Sequence, residues 1–271
     1  MYTDVLVPSS LIRETSDRRE ATYKLGWIAR AAAIFEVNDL VVYPDPEGAG
    51  PEDGAFVAAV LRYATTPPYL RKEVFDRRDE LTHVGVLPPL RLPTWTGSES
   101  NDSGSIREGI VTEVGPDGRV WVNCGMQHPI SLTVVGDNLP QQGERVAVSI
   151  SSRDPVRAKL LDGVSTGPRV REQALVDALE AARGLRIAAT RHGQPLTIGL
   201  LTGRLTARHT SGMTMAFGAP GRGLREICRS LGLVENELFD IRLNTIPDQG
   251  SEVVRTEEAM IASLACLRLE E

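Results

Sequence analysis

Residues 244–267 read NTIPDQGSEVVRTEEAMIASLACL, a polar, glycine-containing loop that opens into a run of good helix formers. Just upstream, FDIRLN (239–244) alternates. Phe239, Ile241 and Leu243 share one face and Asp240, Arg242 and Asn244 the other, which predicts a strand. Downstream, Thr256 is a capping residue type, and Glu257 and Glu258 stand in the first turn, where carboxylates suit the helix dipole. From 259 to 267 almost every position is apolar, so this helix is predicted to be buried on most sides. The order strand, loop, helix puts the loop at the carboxyl end of a strand, where open α/β sheets hold small ligands. A loop of this length usually has a function beyond connection.

Working outward, the first stretch alternates strand and helix. TDVLVP reads as a strand ending at Pro8, and Ser16 or Asp17 can cap a helix over 18–35. VNDLVVY (37–43) reads as a second strand, and a helix over 55–64 is stopped by TTPPY. Such alternation predicts a parallel sheet. From about 85 the pattern changes. Proline-rich PPLRLP leads to a flexible polar loop, TGSESNDSGS (96–105), and then to short strands. REGIVTEV and RVWVNCG flank GPDG (115–118), a strong hairpin signal, and HPISLTVVG and ERVAVSIS follow. Four or five short strands in this space predict a small barrel of the OB type, a class that binds single-stranded nucleic acid through aromatics and a basic groove. Trp121 points to the opposite face from Val120 and Val122, and either packs in the core or stacks a base. After 153 the α/β pattern returns, with a helix over 170–183, a strand GLRIAAT, a loop RHGQPLTIG, a strand GMTMAF, the turn GAPGRGL (218–224) and a helix over 224–231. The domain reading is an α/β domain over 1–84 and 153–271, interrupted by a β-barrel insert over 85–152.

Composition sets bounds on function. The chain has 271 residues, enough for one large domain or two ordinary ones. It contains no apolar run long enough to span a membrane, and MYTDVLVPSS has neither the basic region nor the apolar core of a signal peptide. Cys124, Cys228 and Cys266 show no metal-ligand spacing and are expected to pack as small apolar residues in a reducing cytoplasm. The net charge of -6 weighs against nucleic-acid binding, but the acidic excess falls in 1–69 and 94–155. Lys24, Lys72 and Lys159 are the only lysines among 30 basic residues. Arginine suits bidentate phosphate contacts, though a GC-rich genome gives the same bias.

GAPGRGL follows a strand and precedes a helix. Its glycines at 218, 221 and 223 let a ligand approach backbone N–H groups, yet they match neither GxGxxG nor a P-loop. Together with 190–195 and 245–251 it makes three loops that could meet at one edge of the sheet. His83, His128, His192 and His209 are scattered, so neither a metal site nor a hydrolase triad is expected.

The 244–267 stretch closely resembles the last motif of the SPOUT, or α/β-knot, methyltransferases. PPYLRK, GVLPPL, REGIV, VNCGM and RDPVRAK are similar, in the same order, to the archaeal and eukaryotic branch that carries an OB-like insert. The resemblance covers nearly the whole chain. It implies an α/β fold, with a SPOUT-type trefoil-knot methyltransferase domain interrupted by a small OB-like β-barrel. It further implies a homodimer, S-adenosylmethionine as methyl donor, and uridine N3 in structured RNA such as rRNA as acceptor. Carried over by position, Gly218 and Gly223 match the family's FGG-type loop, and Asn244, Thr245, Ile246, Pro247, Gly250 and Ser251 its strand-to-knot loop. The third loop departs: Ala189-Thr190-Arg191-His192-Gly193 stands where the family has Thr-Ser-x-Arg-Gly, so Arg191 or His192 would replace the usual arginine, and Thr190 and His192 are the cofactor contacts expected here. A Tyr-Trp-Gly-Tyr segment of many relatives is replaced by Ser165-Thr166-Gly167-Pro168.

Methyl transfer needs alignment and a group to take the N3 proton. Arg255 is the expected cation for the developing anion, with Glu257 or Glu258 the proton acceptor; both carboxylates could instead serve the helix start. Arg71, Lys72 and Arg107 are the expected phosphate contacts. The rival expectation is a non-catalytic RNA-binding or ribosome-assembly factor on the same scaffold.

Overall fold

The computed structural model describes residues 2–95, 105–134, 139–153, 156–164, 166–205 and 212–268. Most of the loop expected at 96–105, together with His209 and Ser165, lies outside them. Two compact units form, one from residues 1–65, 80–88 and 168–271, the other from 66–79 and 89–167. Compared with the expected 85–152, the second unit leaves 85–88 to the first, runs on to 167, and takes in a separate piece, 66–79, with the PPYLRK segment.

The first unit is built on a six-stranded sheet. Numbering strands along the chain, it comprises β1 (Thr3–Pro8), β2 (Asp39–Tyr43), β8 (Arg169–Glu172), β9 (Leu185–Pro195), β10 (Met213–Ala216) and β11 (Ile241–Asn244). Their order is β11-β9-β10-β1-β2-β8, and every pairing is parallel. Both faces are covered, which is why β2 and β10 are buried at every position. Val5, Val7, Leu40, Val42 and Met215 face a core shared with α1 (Arg18–Ile34) and α2 (Asp53–Ala64), whereas Leu6, Val41, Tyr43 and Ala188 face a second core on the opposite side. Asp17 caps α1, its carboxylate accepting from the Glu20 N–H at 2.7 Å.

Three expectations need correction here. The helix over 170–183 begins as β8, because 169–172 pairs with β2, and only α4 (Leu175–Glu180) is helical. RHGQPLTIG is not simply a loop, since β9 continues to Pro195. Its ladder with β11, however, jumps from Ala188↔Arg242 to Gln194↔Leu243. Residues 189–193 therefore leave the ladder as a bulge. The third concerns the final helix, α8 (Thr256–Leu267). Its buried residues are Thr256, Glu257, Met260, Ser263, Leu264 and Leu267, one helical face rather than most of the surface. That face packs beside α1.

The second unit holds a five-stranded antiparallel sheet ordered β5-β4-β3-β6-β7. The strands are β3 (Ser105–Val114), β4 (Arg119–Asn123), β5 (Ile130–Thr133), β6 (Arg145–Arg153) and β7 (Val156–Leu161). Edges β5 and β7 approach each other, giving a near-barrel around Val111, Val120, Val122, Ile130, Leu132, Val148 and Ile150. The expected hairpin forms at 115–118, where Gly118 has φ of +77°. Trp121 is half-buried, and its ring lies over Gly115 of that turn, so it covers the hairpin instead of filling the core.

Candidate active site

The loops after β10 and β11 meet the bulge 189–193 of β9 at the carboxyl end of the sheet. The chain steps from β9 to β10 toward β1, then back over β9 to the far edge at β11, so the winding direction reverses here. Such a reversal opens a crevice beyond the strand ends. The residues of these three loops belong to the first unit.

The loop after β10 folds back on itself. Ala219 and Arg222 exchange backbone hydrogen bonds at 2.9 and 3.0 Å, and Gly221 takes φ of +67°. A Cβ at Gly218 would stand 2.9 Å from the Arg222 carbonyl oxygen, so only glycine allows this close return. Gly223, by contrast, has open space where a side chain would stand, and it leads into α6 (Leu224–Ser230). The loop is tied to the last helix by Thr256, whose hydroxyl donates to the Gly218 carbonyl at 3.0 Å. The cap of α8 is Arg255, whose backbone is extended with φ of -70° and ψ of 155°, and not Thr256 as its residue type suggested; Thr256 is the first residue of the helix itself.

The loop after β11 is shaped by its own side chains. The Ile246 N–H donates to the Asn244 side-chain oxygen at 3.0 Å, and the Thr245 and Ser263 hydroxyls are hydrogen-bonded at 2.7 Å. Ser251 donates its hydroxyl to the Val253 carbonyl, and Gln249 reaches the carbonyls of Ser251 and Glu252. Pro247, Gly250 and Ser251 are exposed, and nothing stands near the Cβ position of Gly250.

The bulge 189–193 joins them. The Asn244 amide donates to the Arg191 carbonyl at 3.1 Å, and Arg191 Nη1 donates to the Glu252 carbonyl at 3.3 Å. The His192 N–H donates to the Thr190 hydroxyl at 3.3 Å, leaving the His192 ring exposed beside Arg191. Gly193 is pressed against β11: its Cβ would lie 2.7 Å from the backbone of Arg242 and Leu243. The structure thus brings Thr190, His192, Gly218, Gly223 and 244–251 to one end of the sheet.

At the start of α8, charges form a chain. Arg255 is half exposed and lies 3.5 Å from Glu14, which also pairs with the buried ammonium of Lys24. Lys24 Nζ lies 3.4 Å from Glu257 Oε2. Burial pushes the Glu257 carboxyl up, against the opposing pull of Lys24. Glu258 is exposed and accepts from the Arg255 N–H at 2.8 Å, a first-turn contact. The contribution of Glu14 and Lys24 was missed from the sequence, since no local pattern links residues so far apart.

The expected phosphate contacts sit in the second unit. Lys72 is exposed and Arg71 half-buried, its Nε donating to the Thr66 carbonyl at 3.1 Å. Arg107 is a correction: it is fully buried, with Nη1 3.4 Å from the Cys124 carbonyl. Its strand carries it inward on the same face as Val111, so it does not reach solvent. Tyr69 ties PPYLRK to VNCG, because Gly125 has no Cβ to block the ring and the Tyr69 hydroxyl donates to the Glu108 carbonyl at 2.8 Å. Cys124 and Cys228 are buried thiols pushed up to about 12 and about 11. Among the described residues, no group of three or more His, Cys, Asp or Glu is placed to hold a metal ion, and no helix is long and apolar enough to cross a membrane.

Comparison with known proteins adds the family. A family model described as "Putative RNA methyltransferase" matches residues 2–267. An uncharacterized protein of Haloarcula marismortui is 59% identical over the full length of both chains. The 28S rRNA (uridine-N(3))-methyltransferase of Homo sapiens is 32% identical, over 98% of this chain and 78% of its own. The Drosophila melanogaster protein of the same name is 27% identical, over 97% of this chain and 61% of its own. With the match running from one end of the described fold to the other, the chain belongs to this RNA methyltransferase family.

Proposed function

We propose that this protein transfers the methyl group of S-adenosylmethionine to N3 of a uridine in structured RNA, with ribosomal RNA as the substrate class. The observation that carries the reading is the meeting of the loops after β10 and β11 with the bulge of β9 at the carboxyl end of the sheet, tied by the Thr256–Gly218 and Asn244–Arg191 hydrogen bonds. The fit to the methyl donor rests on open glycine positions at 223 and 250, beside backbone that a ligand can reach. Gly218, Gly223, Thr190, His192, Asn244, Thr245, Ile246, Pro247, Gly250 and Ser251 would hold it. Bound there, the sulfonium supplies an electrophilic methyl group.

The chain's own residues then have to align the base and manage one proton. Arg255, half exposed at the end of the loop, stabilises the anion that develops as N3 loses its proton. Glu257 is turned into the protein toward Lys24, so Glu258, the exposed carboxylate, is the proton acceptor of the pair. Arg71 and Lys72 grip phosphate, with the near-barrel acting as an OB-like RNA module.

The same reading makes the first unit a SPOUT-type trefoil knot and the protein a homodimer. Support for the knot is that α8, entered from edge strand β11, packs into the core of β1 and α1 across the strand ends. Support for the dimer is an exposed apolar stripe on α1, Tyr23, Trp27 and Ile34, with Ile261 exposed on the neighbouring α8.

Titration calorimetry with S-adenosylmethionine tests the reading. Gly223→Trp is the control, because it fills open space without disturbing the loop. Micromolar binding lost in the control is the expected result. A wild-type protein that does not bind would overturn the enzyme reading and favour an RNA-binding scaffold.

A further inference from the structure

Asp45 is a fully buried carboxylate just past the end of β2, and the chemistry above does not use it. Arg222 Nε lies 3.1 and 2.9 Å from its two oxygens, and the Ser10 hydroxyl donates to it at 2.5 Å. The Asp45 N–H in turn donates to the Ser9 hydroxyl at 2.9 Å. Arg222 Nη2 continues to Glu47 at 3.2 Å and to Ser230 at 2.9 Å. Gly48 permits the crossing, since a Cβ there would stand 2.1 Å from Asp45 Oδ2 and 2.9 Å from Arg222 Cδ.

Two features make this more than a stabilising pair. Arg222 belongs to the glycine loop 218–223 and closes it by its backbone bonds with Ala219. Two residues before Asp45, the Tyr43 hydroxyl donates to the Phe217 carbonyl at 2.5 Å, at the loop's other end. The end of β2 therefore holds the loop on both sides. A buried ion pair is a poor way to gain stability, because desolvation offsets its attraction. Its directional bonds instead fix geometry.

We infer that Asp45 is a positioning residue: through Arg222 it holds loop 218–223 in the shape that receives the methyl donor, and Arg222 is committed to the loop rather than to the ligand. The inference rests on the cofactor reading above.

The test titrates wild type, Asp45→Asn, Arg222→Met and Arg222→Lys with S-adenosylmethionine, well below each unfolding midpoint, and follows amide exchange at Ala219 and Arg222. Asp45→Asn and Arg222→Met are expected to bind roughly tenfold more weakly or worse, with faster exchange at both amides, and Arg222→Lys, which keeps the charge but loses the forked bonds, to fall between Arg222→Met and wild type. A purely structural pair would lower the midpoint and leave the affinity of the folded protein unchanged; that result overturns the inference alone. Failure of the wild type to bind overturns the cofactor reading, and this inference with it. Should Asp45→Asn not fold, the contrast between Arg222→Met and Arg222→Lys decides.

Discussion

Gly193 shows how much one missing methyl group can matter. Its neighbours within reach of a Cβ are backbone atoms of β11, which cannot move aside as a side chain could. Gly193→Ala should destabilise the protein by about 2 kcal/mol, the usual scale of overpacking, read as a lower urea midpoint at constant slope. Asp4 carries a different signal. Burial first, and the charge of Asp39 second, push its carboxyl from 3.8 up to about 6. A folded pKa above the unfolded one means that this group's stabilising contribution is complete below about pH 4 and is lost as pH rises through 6. Asp4→Asn should therefore be the more stable protein at pH 8, by ~1 kcal/mol after discounting for partial solvent access, with the gap closing toward pH 4 in thermal melts.

Among the elements, α8 concentrates the connections. Thr256→Val keeps the helix and removes the hydroxyl bond to Gly218. It should cost about 1 kcal/mol, measured by denaturant unfolding, and loosen the loop after β10. The central strands were legible in the sequence because β1 and β2 carry apolar runs that only a doubly covered sheet explains. Residues 169–172 were not. VREQALVDALEAAR has helix-forming composition, and its first residues become a strand only through pairing with β2, including the Arg169 N–H to the Asn38 carbonyl at 2.9 Å. No local preference reports that pairing. The bulge 189–193 was half legible: 191–193 were read as a loop, but 189–190 were given to the strand before it and the return of the strand behind it was not seen. Arg107 left a usable clue, since it shares the parity of Gly109 and Val111 on β3.

For the whole molecule, the sharpest expectation concerns association. Replacing Trp27 with Glu puts a charge into the exposed stripe of α1 without touching the buried face, so sedimentation should show dimers for the wild type and monomers for Trp27→Glu. RNA binding gives an independent reading. With fragmented ribosomal RNA as probe, the Arg71→Ala, Lys72→Ala double variant should flatten the dependence of log affinity on log salt by about 1.4, near 0.7 per single-strand phosphate contact. Arg107→Ala should act on stability instead, because its side chain lies inside the second unit.

The bulge in β9 has a consequence for how such a site can change. The ladder with β11 is complete at Ala188 and resumes at Gln194, so the five residues between them leave the sheet without setting strand register. They behave like an expansion joint in a rigid frame. Exchanges at 189–192 can reshape this end of the sheet while the ladder stays as built, and of the five only Gly193, wedged at the seam, is held to one residue type.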